Sequence, residues 1–375
     1  MPSDWIYVDF GLATLAGTGS PYTYWRRPFA IDLSAPFNPT EFFTSKAYVS
    51  IGVPESLPAT LRGAIWVDEA ETIYKQAPNS TRPIDNLLTP IRFGGAFPDS
   101  DLWGLNKNGS KNLDLVVRPA EIWTLETVNF TWNKLPPPGG DPVSGVKSGG
   151  EAYSSELGFF ASGYLSNQTD SKFANWTGGV TEILNALLTY DMANNTFVNK
   201  TTPFDTFTLS NLVHVPVGEK GILLSLGGVS IKKGMFNWTF NRYAFCTSVA
   251  VASDNSSYNI IIHGGMSMNN LEGFSDTYLL SLPSFEFFEL DKGKSNSHRI
   301  EHTCHLRKNK LFIIGGRDMS QEDPKWGGWT TGSCDPQGLI NILDINTLQW
   351  DSTYDPIDAK DYLVHKSIYD VIGGK

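Results

Sequence analysis

Charge is scarce in this sequence. Only 18% of its 375 residues are Asp, Glu, Lys or Arg, and the balance is acidic, with a formal net charge of -10. Basic residues never cluster beyond pairs such as Lys232-Lys233, so there is no stripe that could neutralise phosphates. That argues against nucleic acid and anionic membrane surfaces as partners. Long apolar runs are missing too: nothing approaches the roughly 18 residues of a membrane span, and the opening MPSDWIYVDF lacks the basic start and apolar core of a signal peptide. Histidine numbers six and cysteine three, so the cysteines cannot all pair with one another. No stretch holds a convincing helical period, which leaves strands and turns to build the fold.

Glycine and aromatic residues are plentiful, with 35 glycines and 13% Phe, Trp and Tyr, a composition that favours short strands joined by tight turns. Sequons of the form Asn-x-Ser/Thr occur at Asn79, Asn108, Asn129, Asn167, Asn175, Asn194, Asn199, Asn237 and Asn255, against roughly four expected by chance from the Asn, Ser and Thr content. We therefore expect N-glycosylation, and with it an extracellular or cell-surface chain whose signal and any membrane anchor belong to a longer precursor. In an oxidising compartment Cys304 and Cys334, which bracket the strand LFIIGG and its following loop, are expected to form a disulfide closing a loop of about 30 residues. Cys246, inside the apolar run YAFCTSVAV, reads as a buried structural thiol.

A unit recurs along the chain: an apolar run ending in Gly-Gly, a polar loop, a second strand ending in a polar residue, then an aromatic one. IRFGGAF, LLSLGGVS, NIIIHGGMS and LFIIGGRD carry it, LGFFASGYLS is a degenerate copy, and WIYVDFG is another. A Gly pair at a strand end permits positive φ or close backbone approach. The aromatic residues that follow, Trp132, Phe287 or Phe288, and Trp350, are expected to bury flat surfaces between neighbouring sheets. One such unit cannot bury both of its faces, so units must stack radially. The pattern resembles the kelch repeat, and the chain is similar to fungal galactose-oxidase/kelch-type propeller ectodomains, most closely in NRYAFCTSVAVASDNSSYNIIIHGG, DTYLLSLPSFEFFEL, HTCHLRKNKLFIIGG and YLVHKSIYDVIGG.

The expected fold is accordingly all-β, a single six-bladed kelch-type propeller domain over residues 1-375, with five or seven blades as the alternatives. The resemblance implies that SIYDVIGG returns to pair with WIYVDFG, so that both chain ends share the first blade and its edge is protected. The Gly pairs fall near 95, 163, 228, 265 and 316, and the short third interval, against the roughly 50 residues of a kelch unit, predicts a fourth blade short of a strand and irregular near residues 231-240.

HRIEHTCH, residues 298 to 305, has metal-like spacing only on a helix. On a strand entering the last blade, His302 and Cys304 share one face and His305 takes the other, so the three histidines do not converge and no metal is expected. The resemblance includes copper radical oxidases, whose chemistry needs two tyrosines, one cross-linked to cysteine, and two histidines at one copper. Here His214, His263 and His365 are scattered singly. Asp99, Asp101, Glu322 and Asp323 read as solvated loop carboxylates rather than a glycosidase pair.

A copper oxidase-like or carbohydrate-active enzyme is therefore the alternative. The favoured reading is a non-enzymatic recognition or scaffold ectodomain without cofactors. Its partner would be a protein or glycan bound by Trp103, Trp176, Trp326 and Trp329 in the long loops 96-119, 165-179 and 317-338, where sequons at Asn108, Asn167 and Asn175 also lie.

Overall fold

The computed structural model describes residues 4–8, 11–13, 23–25, 28–54, 57, 65–79, 118–143, 149–165, 182–202, 210–228, 242–267, 272–292, 298–318 and 338–373. Twenty-six strands arise in these segments. Blade I holds β1 (Trp5–Val8), the extension β2 (Gly11–Ala13) and β3 (Thr23–Trp25), β4 (Phe29–Asp32) and β5 (Tyr48–Ser50). Blade II holds β6 (Ile65–Val67), β7 (Ile73–Asn79), β8 (Arg118–Glu126) and β9 (Thr131–Lys134). Blade III holds β10 (Gly139–Gly140), β11 (Gly150–Tyr153), β12 (Leu157–Ala161), the extension β13 (Tyr164–Leu165) and β14 (Glu182–Ile183), β15 (Ala186–Asp191) and β16 (Thr196–Thr201).

A two-stranded ribbon follows, β17 (Asn211–Val215) and β18 (Ile222–Leu226). Blade IV holds β19 (Cys246–Val251), β20 (Tyr258–His263), β21 (Thr277–Leu282) and β22 (Glu286–Asp291). Blade V holds β23 (Arg299–Arg307), β24 (Lys310–Asp318), β25 (Ile340–Asp344) and β26 (Gln349–Asp351). In blades II, IV and V each strand pairs antiparallel with the next, and β10 adds to the outer edge of blade III parallel to β16.

The runs that are apolar without alternation become second strands. In β20, Asn259 to His263 are all buried, because odd positions face one neighbouring blade and even positions the other. Outer strands such as β16 and β22 are largely exposed, so apolarity drains from the axis outwards.

The faces close into a ring. Ala30 and Ile51 of the first unit meet Ile73 and Leu125 of blade II. Trp66 and Ile122 meet Phe160, Leu188, Tyr190 and Phe197 of blade III. Ala152, Phe159 and Ala161 meet Leu212 of the ribbon, whose Val213 and Val215 face Ile260, Ile262 and Leu280 of blade IV. Ala250 and Ile261 meet Leu311, Ile313 and Leu343 of blade V, and Phe312, Ile314 and Ile342 return to Ile6, Phe29 and Ile31. A sheet apolar on both faces must be covered on both sides, and here the neighbouring sheets do so.

Four hairpins between third and fourth strands share one geometry. Glu126 pairs with Thr131, Asp191 with Thr196, Ser281 with Glu286 and Asp344 with Gln349. The residue before the returning partner takes positive φ each time, at Phe130, Asn195, Phe285 and Leu348. Two positions beyond it stand Trp132, Phe197, Phe287 and Trp350. Trp132 and Trp350 pack into the inter-blade clusters as expected, and Phe197 does so as well, whereas Phe287 is 44% exposed.

The Gly pairs also do what their position implies. Gly264 and Gly265 both have positive φ, and a Cβ on Gly265 would lie 2.8 Å from the Tyr243 carbonyl oxygen. The degenerate pair Ser162-Gly163 adopts the same left-handed conformation.

Two expectations are corrected. The described residues form five blades, not six: the unit that ends at the start of the short Gly-Gly interval is the ribbon β17–β18, and residues 231-240 lie outside the described segments. Nor does SIYDVIGG join the first blade, whose described strands all come from the N-terminal part of the chain. Residues Lys366–Ile372 instead form the helix α1. His365 caps its N-terminus by accepting from Ser367 N, Lys366 Nζ pairs with Asp370 at 2.6 Å, and Gly373 ends it at φ 77°. Ile368 buries against the protein while Val371 stays 64% exposed, so one apolar contact, a cap and an i,i+4 ion pair outweigh the β-branched composition of the segment.

Candidate functional site at the junction of blades IV and V

Most of the loop residues singled out from the sequence, namely Trp103, Trp176, Trp326 and Trp329 together with Asp99, Asp101, Glu322, Asp323 and Cys334, lie outside the described residues. So do Asn108, Asn167, Asn175 and Asn237, and Asn79 ends β7 with its side chain undescribed. Asn129, Asn194, Asn199 and Asn255 are all exposed, where a glycan would meet no packing conflict.

Cysteine pairing is corrected. Cys246 bonds to Cys304, with Cα atoms 5.3 Å apart and a sequence separation of 58. Cys246 opens the first strand of blade IV and Cys304 lies in the first strand of blade V, so the bridge ties two adjacent inner strands. The expectation of Cys304–Cys334 took sequence proximity as a guide, whereas the ring places β19 beside β23.

The disulfide is the innermost member of a polar seam. On blade IV the register aligns Cys246, His263, Thr277 and Asp291 across the four strands. Blade V answers with Cys304, His302 and Trp350. His263 Nδ1 lies 2.9 Å from Thr277 Oγ1, and the His263 and His302 rings meet edge to face with centroids 5.3 Å apart. His263 also meets Trp350 at 5.7 Å, and Trp350 Nε1 donates to Asp291 Oδ2 at 3.1 Å. His305 points away from this seam, toward Thr303 Oγ1 at 3.1 Å.

Two buried arginines frame the seam. Arg242 makes a two-pronged contact with Asp276, at 2.6 and 2.9 Å, and donates to the Gly264 carbonyl at 3.0 Å, while the Phe274 ring covers its guanidinium at 4.0 Å. Arg299 donates to the carbonyls of Gly315, at 2.5 Å, and Gly338, at 2.8 Å. Each arginine thus ties down the carbonyl of the first residue of a Gly pair, satisfying backbone that the left-handed turn takes out of the ladder.

Sequence reasoning missed these arginines. The signal was the parallel between RYAFC and RIEHTC, each with a positive-φ residue, Ala244 and Glu301, between Arg and Cys. These two positive-φ residues are joined by a hydrogen bond from Glu301 N to Ala244 O at 2.9 Å.

Burial, reinforced by Arg299 and Arg242, pushes the His263 imidazole down to about 3. His302 is held well below its ordinary value by burial, the neighbouring His263 and Arg299. Both are neutral at physiological pH and act as fixed hydrogen-bonding and packing groups. The unfolded chain takes up a proton at each near pH 6.5, which the folded chain refuses until far lower pH. Stability is therefore full above pH 6.5 and falls on acidification by up to about 1.4 kcal/mol per pH unit per such histidine, for His263 down to about pH 3. Urea unfolding between pH 7 and 4 should show this slope, and His263→Gln should remove one histidine's share of it. An unchanged slope would place the proton uptake elsewhere.

The fold defines the chain as a β-propeller. Among solved structures the chain is similar to that of YjhT, with a TM-score of 0.50 and 12% sequence identity over 85% of this chain and 89% of that one. At that identity the likeness bears on the fold alone. No family model matches the sequence, and no curated protein matches it.

Proposed function

We propose that this chain is a non-enzymatic recognition or scaffold propeller of the kelch type, secreted or displayed at a cell surface, that binds a protein or glycan through loops on one face. The observation that carries this reading is where the long connections are anchored. Residues 80–117 and 319–337 join a second strand to a third in blades II and V, and 166–181 joins the extension strands β13 and β14 within the same connection of blade III. Equivalent ends of equivalent strands in a ring lie on the same side, so these connections start and finish together, as binding loops on rigid scaffolds do. A disulfide between inner strands and four exposed sequons favour an oxidising, glycosylating compartment.

A screen of the purified chain against glycan and cell-surface protein arrays should return a ligand. The double substitution Trp326→Ala/Trp329→Ala should then weaken its binding at least tenfold while leaving the Tm within about 2 °C. Unaltered binding, or a chain that unfolds, would show those tryptophans to be loop packing instead.

A further inference from the structure

Cys246 and Cys304 share their corner of the ring with His302. One sulfur from each cysteine and a ring nitrogen of His302 lie within 4.8 Å of one another. His302 and Cys304 are two residues apart on β23 and face blade IV together, while β19 presents Cys246 from the opposite side. His302 is 5% exposed. Its Nε2 lies 3.2 Å from the His263 carbonyl oxygen, and its Nδ1, fully buried, has no hydrogen-bond partner.

A neutral imidazole that donates from Nε2 to a backbone carbonyl keeps an unprotonated lone pair on Nδ1. This is the tautomer of a metal-bound histidine with its outer hydrogen bond in place. A buried nitrogen without a partner costs stability unless something uses it.

We propose that reduction of the Cys246–Cys304 disulfide opens a site in which Cys246, Cys304 and His302 bind a thiophilic d10 cation, Zn(II) or Cu(I). Two thiolates and an imidazole form a soft donor set that selects such ions over Mg(II) or Ca(II). Three protein donors suit trigonal Cu(I), or Zn(II) completed by one solvent ligand. Cation binding and the disulfide exclude each other, because each uses both sulfurs. A dithiol reductant supplies two electrons and two protons; the S–S bond breaks, the reductant closes its own disulfide, and the two thiols release their protons to solvent as the cation binds. Cys304 is half-buried and Cys246 is 3% exposed, so the three donors sit in a protected corner of the ring. The site is independent of the loop face proposed above.

The test uses the full chain carrying Cys334→Ser, so that the third cysteine cannot contribute. After reduction by a dithiol and anaerobic desalting, titration with Zn(II) against a chromogenic chelator should show one ion per chain, and the oxidised chain should bind none. Co(II) in place of Zn(II) should give sulfur-to-metal charge-transfer absorption, and Cu(I) should compete with bicinchoninate at the same stoichiometry. His302→Phe should weaken Zn(II) binding at least tenfold with the same number of free thiols. Should that variant fail to fold, alkylation of the folded, reduced protein provides the check: bound Zn(II) should slow iodoacetamide modification of Cys246 and Cys304 at least tenfold. Equal uptake by reduced and oxidised protein, a Co(II) spectrum without charge transfer, unaltered alkylation, or wild-type affinity in a folded His302→Phe chain would each overturn the proposal.

Discussion

Replacing Trp66 by alanine is expected to cost about 4 kcal/mol, the range for deleting a fully buried large aromatic side chain. Trp66 is completely buried between blades II and III. It stacks on Tyr190 with ring centroids 5.2 Å apart and donates its indole N–H to the Phe159 carbonyl at 3.2 Å. Truncation opens a cavity the size of an indole and leaves that carbonyl without its donor. The pocket is made by a backbone without a side chain: a Cβ on Gly158 would stand 2.3 Å from the Trp66 ring. Gly158→Ala should therefore destabilise the same junction, and the double variant should cost less than the two single effects combined, because both act on one contact. Urea unfolding at pH 7 measures all three. A Trp66→Ala cost below about 2 kcal/mol would mean that the blades are held together elsewhere.

The second large effect belongs to the Cys246–Cys304 bridge. Cross-linking residues 58 apart restricts the unfolded chain by about 4 kcal/mol in the chain-entropy description. Cys246→Ala/Cys304→Ala should lower unfolding free energy by that order, and reducing agent should produce a similar loss in the parent chain and none in the variant. Peptide mapping without reduction should recover Cys246 linked to Cys304. Recovery of a Cys304–Cys334 peptide instead would undo the assignment of the seam between blades IV and V. The fully buried Arg299 gives an internal comparison: Arg299→Met leaves the carbonyls of Gly315 and Gly338 without their charged donor, yet its effect should not depend on reductant.

Local features were readable. The Gly pairs mark where left-handed backbone is needed, since only residues able to adopt positive φ can end the second strands next to the following blade. The spacing from Asp344 to Trp350, or from Asp191 to Phe197, marks a turn of fixed length followed by an aromatic residue, and both hairpins form as that spacing requires. Strand alternation separated His302 and Cys304 from His305. The seam itself was out of reach: nothing in the order of residues says that Arg242 will meet Asp276 across 34 positions, or that Cys246 will meet Cys304 rather than leave it to Cys334. The loop tryptophans carry the proposed recognition role on composition and strand connectivity, and the array experiment is what judges them.

By itself, then, the sequence determined an all-β chain of short sheets, apolar on both faces and therefore obliged to stack, because φ preferences, turn spacing and strand periodicity act between residues a few positions apart. The tertiary structure decided that the described residues form five blades and a ribbon, that the C-terminal segment coils into a helix, and which cysteines join. Those outcomes depend on which inner strands become neighbours when the ring closes, and that proximity arises from the packing of whole sheets.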